Sequence, residues 1–145
     1  MRSDRRTIMA RTLTAYLKRD DAPQRAALQA AIKALTFPLT LDDDYVPFET
    51  AGYLPCTIDG EDAGFDLKFK EAAAELPEAL KASAGDRDTA MAMTWGGDPR
   101  EAAAAYMVCA ALAKDFGALV HEGGTETLLT ADAVVAKAKE AAAAC

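Results

Sequence analysis

Apolar residues recur along this chain in two rhythms, and the places where the rhythm changes mark its elements. Leu13, Tyr16 and Leu17 share one face of a helical wheel over Thr12 to Arg19, which predicts a short first helix. Asp20-Asp21-Ala22-Pro23 interrupts it, with Asp21 suited to an N-cap and Pro23 to a first helical turn. A second helix is predicted from Ala22 to Leu35, where Leu28, Ile32 and Leu35 form one apolar stripe. The period then shortens to two. Phe37, Leu39 and Leu41 face one way and Thr40 the other, which predicts a strand. Leu54, Cys56 and Ile58 alternate over Tyr53 to Ile58, and Phe65, Leu67 and Phe69 over Ala63 to Phe69. Together they predict a hairpin around the turn-forming tetrad Asp59-Gly60-Glu61-Asp62. Pro55 has no amide proton, so its strand belongs at an edge or at an irregularity.

In the second half, Glu71 to Ser83 is alanine-rich and helical in pattern, divided by Pro77 into two short turns. Thr89 to Trp95 reads as a strand with Met91, Met93 and Trp95 on one face, ended by Gly96-Gly97. Asp98-Pro99-Arg100-Glu101 is a helix start: Asp98 caps, Pro99 occupies the first position, and Glu101 can complete a capping box. The helix that follows, to Phe116, is apolar nearly all round, which predicts burial at the centre of the molecule. Gly117 stops it. Ala118 to His121 reads as a strand, Gly123-Gly124 as a turn, Thr127 to Leu129 as a short strand, and Thr130 as the cap of a last helix to about Ala144. Helices and strands do not alternate strictly. The expectation is an α+β fold: a single domain over residues 1–145, with a mostly antiparallel sheet of four to six strands packed by helices on one face. Residues 1–11 are expected to fray.

Composition refines this picture. Of the 74 hydrophobic residues, 34 are alanine, which contributes little apolar area. At about 25 cal/mol per Å² of buried apolar surface, stability must rest on the larger side chains, the single Trp95 among them. The net charge of −7 disfavours nucleic acid and anionic membrane surfaces, which call for clustered Lys and Arg, and it suits a basic partner. The longest apolar run, Ala102 to Ala113, is 12 residues, whereas a bilayer span needs roughly 20. Cys56, Cys109 and Cys145 are too few, and odd in number, for a disulfide framework. Met1 to Arg11 is polar and basic, and Arg5-Arg6 lacks the hydrophobic segment of an export signal, so a cytoplasmic protein is expected.

Candidate chemistry is sparse. Cys56 and the lone His121 are the one nucleophile–base pair available, but Cys56 alternates in phase with Leu54 and Ile58 and is expected in the core, where a thiol is inert. Asp42-Asp43-Asp44 and Asp59-Gly60-Glu61-Asp62 offer oxygen ligands without the spacing of a calcium loop, so no metal is expected. Gly96-Gly97 before a capped helix has the outline of a phosphate-binding turn, yet Asp98 fills the cap and repels anions. No cofactor motif is present.

One stretch is unbalanced. Between Lys33 and Lys68 there is no Lys or Arg, while Asp42, Asp43, Asp44, Glu49, Asp59, Glu61, Asp62 and Asp66 supply eight acids. Tyr45, Phe48 and Tyr53 lie among them. Such a span is either a set of solvated loops or a docking surface for a basic protein, in which charge steers and aromatic rings anchor. The candidate partner-binding residues are therefore Asp42, Asp43, Asp44, Tyr45, Phe48, Glu49, Asp59, Glu61 and Asp62.

Gly52-Tyr53-Leu54-Pro55-Cys56, the Gly60 to Phe65 segment, Trp95-Gly96-Gly97-Asp98, and a helix followed by Gly117-Ala118-Leu119-Val120 form a pattern over residues 37–122. It resembles small bacterial immunity proteins that neutralise delivered polymorphic toxins. That resemblance implies a cytoplasmic protein that acts by tight binding, here to a basic toxin domain whose active site the acidic loops would occlude. The alternative expectation is a small enzyme or ligand-binding protein with a pocket near Trp95 and His121.

Overall fold

The computed structural model describes residues 11–145, so the expected fraying of the N-terminus lies, Arg11 apart, outside the described residues. In chain order the strands are β1 (Arg11–Leu17), β2 (Leu39–Leu41), β3 (Gly52–Leu54), β4 (Cys56–Ile58), β5 (Glu61–Asp62), β6 (Phe65–Glu71), β7 (Thr89–Trp95), β8 (Leu119–Glu122) and β9 (Leu128–Leu129). The helices are α1 (Arg25–Ala34), α2 (Ala72–Glu75), α3 (Lys81–Ala84), α4 (Pro99–Asp115) and α5 (Ala131–Ala143). Single 3-10 turns occupy Arg19–Asp21 and Glu78–Leu80, and Pro77 separates the pieces of the alanine-rich stretch as its ring chemistry requires.

The fold is α+β. Six strands form one antiparallel sheet in the order β3-β6-β7-β1-β8-β9, and β2, β4 and β5 form a second, three-stranded sheet. Alternation sorts the large sheet into two faces. Leu13, Ala15 and Leu17 of β1, Met91, Met93 and Trp95 of β7, Phe65 and Leu67 of β6, and Val120 of β8 are buried toward the helices. There they meet α4, whose residues from Ala103 to Ala113 are buried except Tyr106, with α1 and α5 flanking it. On the outer face, Tyr16, Ala72 and Ala90 make a smaller cluster with Leu76 and Leu128, so the short α2 covers one part of that face.

The segment expected as a first helix is the strand β1, a correction with a clear cause. It lies in the interior of the sheet between β7 and β8, and Ala15, Tyr16 and Leu17 are all buried. A strand covered on both faces loses the clean alternation that would reveal it. The second helix begins at Arg25, not Ala22, with Gln24 as its N-cap, because Asp20-Asp21 is taken up by the 3-10 turn.

The predicted hairpin is present, and it serves both sheets. Gly52, Tyr53 and Leu54 pair with Leu67, Asp66 and Phe65, and Thr57 and Ile58 pair with Asp62 and Glu61. The register is the same on either side of Pro55, and the Ala63 amide bonds the Cys56 carbonyl (2.9 Å), so one ladder bends out of the large sheet into the small one. The tip is a two-residue turn, Asp59-Gly60, with φ of 53° and 84°; Glu61 and Asp62 belong to the strand after it. The bend requires a glycine opposite Pro55. A Cβ on Gly64 would lie 2.5 Å from the Leu54 carbonyl oxygen and against the Tyr53 ring.

Two predictions follow from this packing. Gly64→Ala lowers unfolding free energy by about 2–3 kcal/mol in urea titrations, whereas Gly96→Ala, where a Cβ meets nothing within 4 Å, is close to neutral. Burial, with Glu75 nearby, pushes the Tyr16 phenol up to about 12 from 10.0, and burial also raises Tyr45 and Tyr106. The unfolded chain releases these protons first, so their contribution to stability is complete below pH 10 and is lost as pH rises through about 12. Urea unfolding measured across that range reads it out.

Candidate functional site

The acidic loops are built on the small sheet. Leu39, Leu41, Cys56 and Ile58 point inward and are buried, which turns Thr40 and Thr57 outward. Two side chains of α1 hold the free edge of β2. The Gln29 amide donates to the Leu39 carbonyl and accepts from the Leu41 amide, both at 2.8 Å, in the manner of a neighbouring strand. Arg25 donates to the carbonyls of Leu41 (2.8 Å) and Asp42 (3.0 Å) and pairs with the Asp43 carboxylate (3.3 Å). The Asp42 amide closes the loop onto the Pro55 carbonyl (3.1 Å).

This arrangement brings some of the candidate residues together and separates others. Asp42, Asp43 and Asp62 line one groove of about 210 Å³ with Thr40, Thr57 and Pro55. Asp44 and Glu49 are exposed in the same loop. Asp59 sits at the hairpin tip beside the Leu39 end of β2, the opposite end of the small sheet from Asp42, so the turn and the loop do not share one patch. Glu61 pairs with Arg100 (3.2 Å). The expectation that these acids lack local cations is corrected at two positions, by Arg25 and Arg100, which come from outside the base-free span.

The aromatic residues do not stand where an anchor would. Tyr45 is 3% exposed and packs in the main core, and its hydroxyl has no hydrogen-bond partner among the described residues. Phe48 is half-buried between the Phe69 ring (4.8 Å) and the Arg19 guanidinium (3.7 Å), on a left-handed backbone of φ 70°. The large exposed aromatic is Tyr53, at 57%.

Cys56 and His121 occupy different sheets. Cys56 is 4% exposed, and burial, with Asp42 nearby, pushes its thiol up to about 12. His121 holds the Thr125 carbonyl through Nε2 (2.8 Å). Two amides of the turn after β7 already bond carboxylates: Glu101 accepts from the Gly96 amide (3.3 Å) and Asp98 from the Arg100 amide (2.9 Å). Glu101 thus reaches past the cap residue it was expected to bond. Among the described residues, no group of three His, Cys, Asp or Glu is placed to hold a metal ion.

The region near Trp95 and His121 is two concavities rather than one. Trp95, Tyr53, Asp66 and Glu101 line a cleft of about 240 Å³. His121, Thr12, Thr14, Tyr16, Lys70 and Glu75 line another of about 300 Å³ on the outer face of the large sheet, and Thr94 belongs to both. The second was hidden by the helical reading of β1. Its available signal was Thr12-Leu13-Thr14-Ala15, where β-branched residues alternate with apolar ones.

The chain matches no protein-family model, no curated protein and no solved structure. Among the described residues no helix is long and apolar enough to cross a membrane.

Burial predicts the thiol chemistry directly. In native protein a thiol-exchange reagent modifies Cys145, which is exposed, while Cys56 and Cys109 react only on unfolding. The check is the number of thiols that react before and after denaturant, with the modified peptide identified by mass.

Proposed function

We propose that this chain is a protein-binding module that docks a basic partner, in the specific form of a cytoplasmic immunity-type protein occluding the active site of a toxin domain. The observation that carries the reading is the groove in which Asp42, Asp43 and Asp62 meet. Thr40, Thr57, Pro55, Leu41 and Cys56 complete its lining, Asp43 is its one acid in an ion pair among the described residues, and exposed Asp44 and Glu49 extend its charge. A groove lined by one sign of charge attracts cations from a distance and gives fast, salt-sensitive association. The Cys56–His121 pair that nucleophilic catalysis would need is not assembled. The Cys56 thiol is buried, and His121 lies on the other sheet.

The partner surface is therefore a cluster of Lys and Arg. The test begins with the protein captured by the immobilised chain from its own cells. Asp42→Lys combined with Asp62→Lys leaves the Arg25–Asp43 pair intact and weakens that complex by about two orders of magnitude, while the melting temperature is unchanged. Raising ionic strength slows association of the parent chain and has little effect on the variant. Expression of the captured protein alone arrests growth, and co-expression of this chain restores it. Affinity that survives the double reversal, or a captured protein harmless on its own, rejects the proposal.

A further inference from the structure

We infer that the part of the large sheet's outer face left open among the described residues is a binding site for a small, neutral, polyhydroxylated molecule of about monosaccharide size, separate from the acidic groove. The concavity there is about 300 Å³, at the lower end of small-molecule pockets. Its making is visible in the register. Thr94 of β7, Thr12 of β1 and Gly123, just past the end of β8, lie side by side, and Ala92, Thr14 and His121 form the next row. The floor is therefore Thr, Ala and Gly, while the long side chains stand at the rim and are turned sideways. Lys70 pairs with Glu75 (3.5 Å), and His121 bonds Thr125. An ordinary solvated sheet face carries its long charged side chains across the middle; here the middle is kept low. Gly123 is part of that design, because a Cβ on it would collide with the Thr12 hydroxyl.

The lining selects the ligand class. The hydroxyls of Thr12, Thr14, Thr94 and Tyr16 each donate and accept, as sugar hydroxyls do, so the two sets can satisfy one another. Tyr16 is 1% exposed, and its phenol, like any tyrosine at neutral pH, is protonated and able to donate. An anion would face Glu75 in the lining, while on β6 Asp66 beside Thr94 and Lys68 beside Ala92 offset one another. A cation would face Lys70, which is already matched by Glu75. An apolar ligand would strip water from the hydroxyls without replacing their bonds. A neutral polyol avoids all three costs, and the Lys70–Glu75 pair offers it one charged donor and one charged acceptor.

The test is an amide-shift titration of the full chain at millimolar concentrations of glucose, N-acetylglucosamine, ribose and myo-inositol, with inorganic phosphate and benzamidine as charged comparators. Support is a saturable shift from at least one polyol, confined to amides of β1, β7 and β8. Thr14→Val, which preserves shape and strand propensity, then weakens that polyol about fivefold without changing the melting temperature. Gly123→Ala, which displaces the Thr12 hydroxyl, weakens it as well. Saturation by none of the four, saturation by phosphate or benzamidine alone, or undiminished affinity in Thr14→Val overturns the inference.

Discussion

The structure depends on the burial of the middle of α4. From Ala103 to Ala113 every residue but Tyr106 is shielded from water, so the helix has no solvent face along that length and must be covered on all sides. The large sheet covers one side, α1 and α5 flank it, and the small sheet reaches it through β4. Alanine makes this possible. Ala103, Ala104, Ala105, Ala110, Ala111 and Ala113 lie within that stretch, and side chains so small let neighbouring backbones approach. Larger groups fill what remains: Met107, Val108 and Leu112 pack in the core, and the Cys109 sulfur lies 3.6 Å from that of Met93. The alanine content that contributes little area is thus what lets one helix have so many neighbours.

The bent hairpin converts this core into two working surfaces. Its base supplies β3 and β6 to the large sheet, and its tip supplies β4 and β5 to the small one. Cys56 and Ile58 turn inward at the tip, so Thr57 and Asp62 turn out beside Asp42. At the base, Leu67 turns inward and Asp66, Lys68 and Lys70 turn out onto the other side of the molecule. A single alternation along one piece of chain therefore positions both the acidic groove and the rim of the hydroxyl-lined concavity.

Much of this was legible in the sequence. Thr89 to Trp95 is a strand with the predicted ends, and Pro99 opens α4 under an Asp98 cap. Those segments are long, have one strong period, and carry local stop signals. β1 was not legible, because burial on both faces from Ala15 to Leu17 blurs a period that only Thr12 to Ala15 keeps, and the second sheet was not, because a constant register gives no hint that a hairpin bends. In the acidic span the charges were visible, but their partners were not: Arg25 and Arg100 arrive through tertiary contacts. Tyr45 and Phe48 read as surface aromatics because they sit in a polar loop, yet that loop folds its rings back onto the body of the protein.

The hydrogen bonds of Gln29 to β2 also bear on self-association. A bare strand edge recruits the edges of other chains and nucleates fibrous assembly. Here one carboxamide occupies the donor and acceptor positions that an incoming strand would use, at 2.8 Å each. The terminal strands of the large sheet, β3 and β9, are three and two residues long, and the chain turns at Pro55 just past one of them. Removing the Gln29 carboxamide would reopen a template for chain-to-chain growth, so this side chain guards colloidal behaviour at high protein concentration as much as it holds a loop.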